Sequence, residues 1–340
     1  MTIAYYARSP NAAGDYETVC HHLTLTSALC AEFLSPVGAQ DAGAALGTLH
    51  DLGKYSDLFA AVLRHQREHV NHAAPGAAVA LARYGDRDVG RLLAVVIAAH
   101  HSQLSNAILQ ELRRLSEGSG DPWDENRNEF SIFGPNALST AFTLLRGEVQ
   151  LSQARPTLPP WQGGQDVDLS YMLCARFLFS ALVDADYSAS ASHFEPDYIN
   201  VHTGPPLDPA DALKRLLALR EEKRRTSRAA TPLNALRDQL FEDCLCAADL
   251  PPGLFTLTAP TGLGKTLSLF AFAAKHAQHF HKRRIILILP FLALAEQNTW
   301  DYRQAVPELL ESHSAAVLNE QARLLAERWS APCIVTTTVG

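Results

Sequence analysis

The sequence predicts a mainly α-helical domain followed by an α/β domain built on a parallel, doubly wound sheet. Three observations carry this. Apolar residues return at three- and four-residue spacing from Glu17 to about Ile199. The composition then breaks at His202–Pro209, HTGPPLDP, a run of turn formers. Beyond Thr231, short apolar runs alternate with helical patterns, the signature of strands joined by crossover helices. These place a helical domain at 1–205, a charged helical connector at 206–232 and an α/β domain at 233–340.

In chain order, Leu25, Leu29 and Phe33 mark the first helical stripe, Leu92, Val95, Val96 and Ala99 a later one, and Leu178, Leu182 and Val183 the last. Two breaker-rich loops interrupt them, Gly118–Pro135 and Ala154–Gly164. The connector ends in Lys223, Arg224, Arg225 and Arg228, which suit a nucleic-acid backbone but equally a solvated helix face. Gly253–Thr258 reads as a short buried strand, Leu267–Ala277 as a helix, Arg284–Leu289 as a second strand and Cys333–Thr337 as a third. A doubly wound sheet needs about five or more strands to bury helices on both faces. With only about three present, the domain reads as cut short, and its last strand is expected to be poorly supported.

Hydrophobic residues make up 47% of the chain and charged residues 19%, the balance of a folded globular protein. A net charge of -7 argues against a protein that coats nucleic acid non-specifically. It leaves room for a nuclease whose phosphate contacts run through metal ions and local basic patches. The 6 cysteines form no CxxC pair and no zinc-finger spacing, so free thiols in a reducing cytosol are expected. MTIAYYARSP lacks the basic start and apolar run of a signal peptide. No stretch approaches the roughly 18–20 apolar residues of a membrane span. A soluble, cytoplasmic protein without a membrane partner is expected.

Ala259, Pro260, Thr261, Gly262, Leu263, Gly264, Lys265 and Thr266 spell a phosphate-binding loop between a predicted strand and a predicted helix. The glycines let backbone N–H groups curl toward phosphate oxygens, and the helix N-terminus adds a favourable dipole. Lys265 would reach the β- and γ-phosphates of ATP, and Thr266 would ligate magnesium.

The helical domain carries a set of metal-ligand side chains at helix ends or on inward helix faces. They are His22, the adjacent His50 and Asp51, His72, the pair His100 and His101, and Asp186. His22 rather than His21 lies on the apolar side of its helix. Asp186 rather than Asp184 continues the stripe of Leu178 and Leu182, and it is expected to end its helix. Imidazole and carboxylate together suit manganese, iron, cobalt, nickel or zinc better than magnesium alone, with magnesium kept as a further candidate. The set suffices for two divalent ions, with Asp51 the natural bridge and Lys54, one turn on, placed to neutralise charge developing on phosphorus. His65 and His69 lie on a polar face and are discounted, and His276, His279 and His281 read as a solvated helix end.

The order His22, His50-Asp51, Lys54, His72, His100-His101, Asp186 and then APTGLGKT resembles the nuclease-helicases of type I CRISPR systems. Similar wording recurs in FSALVDADY, in NALRDQLFEDC ahead of PPGLFTLTAPTGLGKT, and in ERWSAPCIVTTTV. The resemblance implies an HD-domain helical bundle followed by a partial RecA-like domain of a superfamily two helicase. It implies metal-dependent cleavage of single-stranded DNA in antiviral CRISPR interference, with recruitment by the Cascade surveillance complex. In RRIILILPFLALAEQN, Pro290 and Gln297 would lie near the DNA-binding face, and in IVTTTV, Thr336 and Thr337 would touch the DNA backbone. Gly340 stands where the family carries a glutamine. The acidic DEAD-type motif and a second motor domain are absent from the sequence, so ATP binding without turnover is expected. Two other readings stand beside this one: an HD phosphohydrolase of small nucleotides, and a non-catalytic piece that docks on Cascade.

Overall fold

The computed structural model describes residues 4–85, 89–102, 104, 143, 145, 147–148, 155–158, 167–226 and 231–338. The predicted loop Gly118–Pro135 and Gly340 lie outside these residues, as does most of Ala154–Gly164. The chain divides into two compact units, Met1–Tyr198 and Ile199–Gly340. No described helix is long and apolar enough to cross a membrane.

The helical unit opens on an antiparallel pair that the periodicity did not predict, β1 (Tyr6–Arg8) with β2 (Glu17–Thr18). Between them the Asn11 side chain accepts hydrogen bonds from the Ala13 and Asp15 N–H groups, and Gly14 turns the chain at φ 89°. Thr18 then caps α1 (Val19–Leu34) by accepting the His21 N–H. Next come α2 (Gln40–Leu49), α3 (Asp57–Leu63), α4 (Ala74–Tyr84) and α5 (Val89–Ala99), and then the long α6 (Val167–Phe194). The buried face of α1 runs through His22, Leu23, Thr26, Leu29 and Cys30, so Thr26 takes the inward place that periodicity assigned to Leu25. Helix α6 runs two turns past Asp186, which lies inside the helix and does not end it as expected. The Ser- and Ala-containing tail after Asp186, YSASAS, continues the helix because no glycine or proline interrupts it.

Two glycines set how closely these helices approach. A Cβ at Gly47 of α2 would stand 2.5 Å from the Ser27 backbone in α1. One at Gly76 of α4 would stand 1.8 Å from the Leu49 carbonyl oxygen at the end of α2. The C-terminal end of α2 is thereby drawn against both neighbours, and the next two residues are His50 and Asp51.

In the second unit, α7 (Pro209–Thr226) and α8 (Thr231–Ala247) lead to α9 (Lys265–His279). Then follow β3 (Ile285–Leu289), α10 (Leu292–Ala305), β4 (Leu310–Ser312), α11 (Glu320–Arg328) and β5 (Cys333–Thr337). Ala212 and Leu216 of α7 are buried in one core with Phe241, Phe270, Ala274 and Tyr302. The charged segment read as a connector is therefore a packed layer of this unit, its apolar stripe hidden and its charges outward.

The three described strands of this unit are parallel in the order β3-β5-β4, with Ile285 opposite Cys333 and Leu310 opposite Ile334. Two expectations change here. The last strand is the central and most buried one, because the crossover through α11 returns it between its predecessors. Gly253–Thr258, predicted as a strand, pairs with none of the described strands, and its Leu254 is 96% exposed. An apolar run becomes a strand only where a neighbour accepts its backbone hydrogen bonds.

The Gly76 contact gives a stability prediction. Gly76→Ala has to push α4 off α2 and should lower unfolding free energy by about 1–3 kcal/mol, the usual cost of overpacking. Denaturant unfolding of both proteins checks it; an unchanged midpoint would mean the helices separate freely.

Candidate metal centre and phosphate loop

Every ligand-type residue singled out in the helical unit is delivered to one place. His22 comes from the first turn of α1, His50 and Asp51 from the residues just after α2, and His72 from just before α4. His100 and His101 follow α5, and Asp186 comes from the interior of α6.

Asp51 sits at the middle, fully buried, and its two oxygens divide the set. Oδ2 lies 3.2 Å from His22 Nε2, 3.3 Å from His50 Nε2 and 2.5 Å from Lys54 Nζ. Oδ1 lies 3.4 Å from His72 Nε2, 3.3 Å from His100 Nε2 and 3.6 Å from His101 Nε2. Asp186 Oδ1 joins the first group, 3.2 Å from His22 Nε2 and 3.5 Å from His50 Nε2. Two ligands each about 2.1 Å from one ion stand roughly 3.0 Å apart at a right angle and about 3.4 Å apart in a tetrahedron. These spacings match that range. Two compact donor sets share Asp51: His22, His50, Asp51 and Asp186, and Asp51, His72 and His101. His100 and His101 also form a set with Asp186.

The rings are held from behind. Nδ1–H of His50 donates to the Gly47 carbonyl at 2.8 Å, that of His72 to Val70 at 3.0 Å and that of His100 to Ile97 at 2.6 Å. A carbonyl only accepts, so the hydrogen is on Nδ1 and Nε2 points at Asp51. His22 instead has Nδ1 3.4 Å from the Glu17 carboxylate. Meanwhile His50 Nε2, His100 Nε2 and Asp51 Oδ1 are buried and, close as they lie, make no well-aligned hydrogen bond among the described residues. Buried polar atoms rarely go unsatisfied, and these three are good ligand atoms facing one another. Residues and chemistry fit divalent metal.

The electrostatics follow from this crowding. Burial alone would raise the Asp51 carboxyl, but the His50 and Lys54 cations outweigh it and hold it well below the usual range. Asp186 is held low in the same way by His22 and His50. Burial pushes His50 down, yet Asp51 and Asp186 win and lift it to about 9. His72 goes the other way, to about 4, because burial and the nearby Lys54 outweigh Asp51.

Three residues at this centre are not among those that the sequence singles out. Glu17, buried in β2, backs His22 and also bonds His21 Nδ1 at 3.0 Å. Arg8 reaches from β1 to Asp186, and Ser190, one turn beyond Asp186, donates to its Oδ1 at 3.2 Å. The alternation of Tyr6, Ala7 and Arg8 ahead of the Gly14 turn was the available clue. His21 is exposed, and among the described residues His65 and His69 join no metal-type group. His276 departs from a solvated helix end: it donates through Nδ1 to Ala248 and stacks on Phe272. Asp184 lies outside the donor sets, accepting from Ser188 at 3.4 Å.

In the second unit the phosphate loop curls as its glycines predict, with φ 87° at Gly262 and 81° at Gly264, directly ahead of α9. Lys265 Nζ donates to the loop's own Ala259 carbonyl at 2.6 Å, and Arg237 of α8 grips the Gly262 carbonyl through two N–H groups at 3.0 and 2.9 Å. Pro290 and Thr337 stand at the C-terminal edge of the parallel sheet, where open α/β sheets bind ligands, and Gln297 is exposed on α10. Thr336 is 3% exposed, which does not suit the DNA contact expected of it; its place in the central strand turns it into the core.

The chain thus joins a helical unit holding a cluster of metal-type ligands to an α/β unit with a phosphate loop. Residues 233–338 match the family described as Type III restriction enzyme, res subunit. No curated protein matches the chain. Among solved structures it is similar to T. fusca Cas3-ATP, with a TM-score of 0.59 and 19% identity over 99% of this chain and 44% of that one. It is similar too to T. fusca Cas3-AMPPNP, with a TM-score of 0.56 and 20% identity over 99% and 43%. T. fusca Cas3 without a named nucleotide gives 0.55 and 21% identity over 98% and 43%. The chain is Cas3-like in fold, and it spans less than half the length of these chains.

Two predictions test the centre. Asp186→Asn should lower bound metal by orders of magnitude, and Asp184→Asn only modestly, read by elemental analysis after dialysis; the reverse ranking would mean the α6 phase is wrong. The second concerns protons. A folded pKa raised to about 9 means His50 holds its proton below that pH and loses it above. A metal ligand must be the neutral ring, so metal uptake at pH 7 should release at least about one proton, and affinity should climb as pH rises toward 9. Calorimetric titration with manganese in two buffers of different ionisation enthalpy measures this; zero proton release at pH 7 would refute it.

Proposed function

We propose that the helical unit is an HD-type, metal-dependent nuclease that hydrolyses phosphodiester bonds in single-stranded DNA during CRISPR interference. The α/β unit is then the beginning of a RecA-like, ATP-dependent helicase motor. One observation carries the nuclease reading: the two oxygens of buried Asp51 face two separate groups of imidazoles, the arrangement of a carboxylate that bridges two ions. His22, His50, Asp51 and Asp186 would hold one divalent ion, and Asp51, His72, His100 and His101 the other. Ions held there would supply Lewis acidity toward phosphoryl oxygens and lower the pKa of attacking water.

The chain's own groups prepare that chemistry. Lys54 and the histidines keep Asp51 ionised, so the bridge is a carboxylate at any working pH. His72, held near 4, is already neutral and ready to ligate. His101 is the most exposed of the set and marks the side from which a substrate arrives. The mixture of imidazole and carboxylate favours manganese, iron, cobalt or nickel over magnesium. Magnesium with ATP belongs at the phosphate loop, through Lys265 and Thr266. Likeness to Cas3 supports single-stranded DNA and the Cascade complex as partners.

The test is circular single-stranded DNA incubated with the protein and manganese, cobalt or nickel, without ATP. Cleavage is expected, and Asp51→Ala should abolish it. Undiminished cleavage by Asp51→Ala would sink the mechanism. Intact circles with phosphate released from nucleotides would favour a small-nucleotide phosphohydrolase instead.

A further inference from the structure

A phosphodiester under attack gathers negative charge on its non-bridging oxygens, and a cation that touches them lowers the barrier. Lys54 has the charge but is 2% exposed, its ammonium held 2.5 Å from Asp51 Oδ2 and over the Phe59 ring. It is placed to serve the bridge, not to meet a substrate. The other arginine or lysine paired with this cluster in the described residues is Arg8, whose side chain is 29% exposed.

Arg8 reaches the centre from β1, where pairing with Glu17 fixes its register. The hairpin is pinned to α6 by Asn11, which donates to the His193 carbonyl, and by His193 Nε2, which bonds the Ser9 carbonyl. Its Nη2 lies 3.4 Å from Asp186 Oδ1 and donates to Ser190 Oγ, while Ser190 bonds that same Asp186 oxygen. Arg8 Nε is buried and has no hydrogen-bond partner among the described residues. A guanidinium is a planar fork of donors that keeps its charge at any working pH, so one nitrogen can hold a carboxylate while another reaches an anion. Nη2 is tethered to the metal-side carboxylate and Nε is enclosed by protein, so Nη1 is the donor that takes no partner among the described residues and is left to meet an anion.

We propose that Arg8 anchors a non-bridging oxygen of the scissile phosphate at this centre. The inference rests on the nuclease reading and adds to it the residue that recognises the substrate's phosphate. The tether to Asp186 and Ser190 places the guanidinium one carboxylate away from the metal positions, so the phosphate it meets is the one under attack.

The metal-loaded protein and its Arg8→Gln and Arg8→Lys variants are assayed on bis(p-nitrophenyl) phosphate, whose one anionic group is a phosphodiester. A single-stranded oligonucleotide is assayed across a salt series. Arg8→Gln should keep the wild-type metal content and lose roughly 10²-fold in kcat/KM, as when one transition-state donor is removed. Arg8→Lys should recover little of this, because it restores charge without the fork. The salt slope of oligonucleotide binding should shrink by about 0.7 for the lost phosphate contact. Should Arg8→Gln not fold, Arg8→Lys must carry the same loss. The proposal is overturned if the variants match wild type per metal-loaded chain, or if they lose metal while the salt slope stays unchanged, which is the behaviour of a mere prop for Asp186. A wild-type protein with no metal-dependent diester hydrolysis overturns the nuclease reading itself, and the anchor with it.

Discussion

A carboxylate without access to water governs the helical unit. Burying an ionised group costs several kcal/mol unless partners converge on it, and Asp51 is fully buried. The partners come from the first turn of α1, the interior of α6 and the residues flanking α4 and α5, far apart in the chain, so the helices can pack only in an arrangement that brings these positions to one point. Gly47 and Gly76 make that possible by removing the side chains that would hold α2 away from its neighbours. The core and the candidate centre are therefore one construction: a change that loosens helix packing also separates the groups around Asp51.

Much of this was legible because helix phase is a strong constraint. The 100° step per residue separates His22 from His21 and Asp186 from Asp184, and in each case the inward residue is the one at the cluster. What escaped was short or depended on a partner. A three-residue strand has too few positions to display alternation, so β1 and its Arg8 went unread, as did Glu17 opposite it. The extent of α6 was missed because a carboxylate can terminate a helix or sit inside one with equal local plausibility. In the α/β unit the errors share one cause. Strand order and strand pairing are set by crossovers, so neither the central place of β5 nor the unpaired state of Gly253–Thr258 could be read from their own residues.

The phosphate loop makes the same distinction between chemistry and state. Its sequence specifies the curl, and both glycines adopt the left-handed conformations required. The cations around it are occupied with the loop itself: Lys265 holds Ala259 and Arg237 holds Gly262. Nucleotide binding must therefore exchange the Lys265 bond to a neutral carbonyl for a stronger one to phosphate, which the charge of the ligand favours.

The Nδ1 bonds of His50, His72 and His100 end on main-chain carbonyls, and this bears on how the centre tolerates sequence drift. Where such a ring is steadied by a carboxylate side chain, the second residue must be retained along with the first. At positions 70 and 97 the supporting oxygen belongs to the peptide bond and persists whatever side chain is attached. Val70 and Ile97 answer only to the packing around them. Relatives that keep the helix ends can lose nearly all recognisable similarity elsewhere and still orient these imidazoles. A centre supported in this way is inherited as backbone shape, and low sequence identity is a poor guide to whether it has survived.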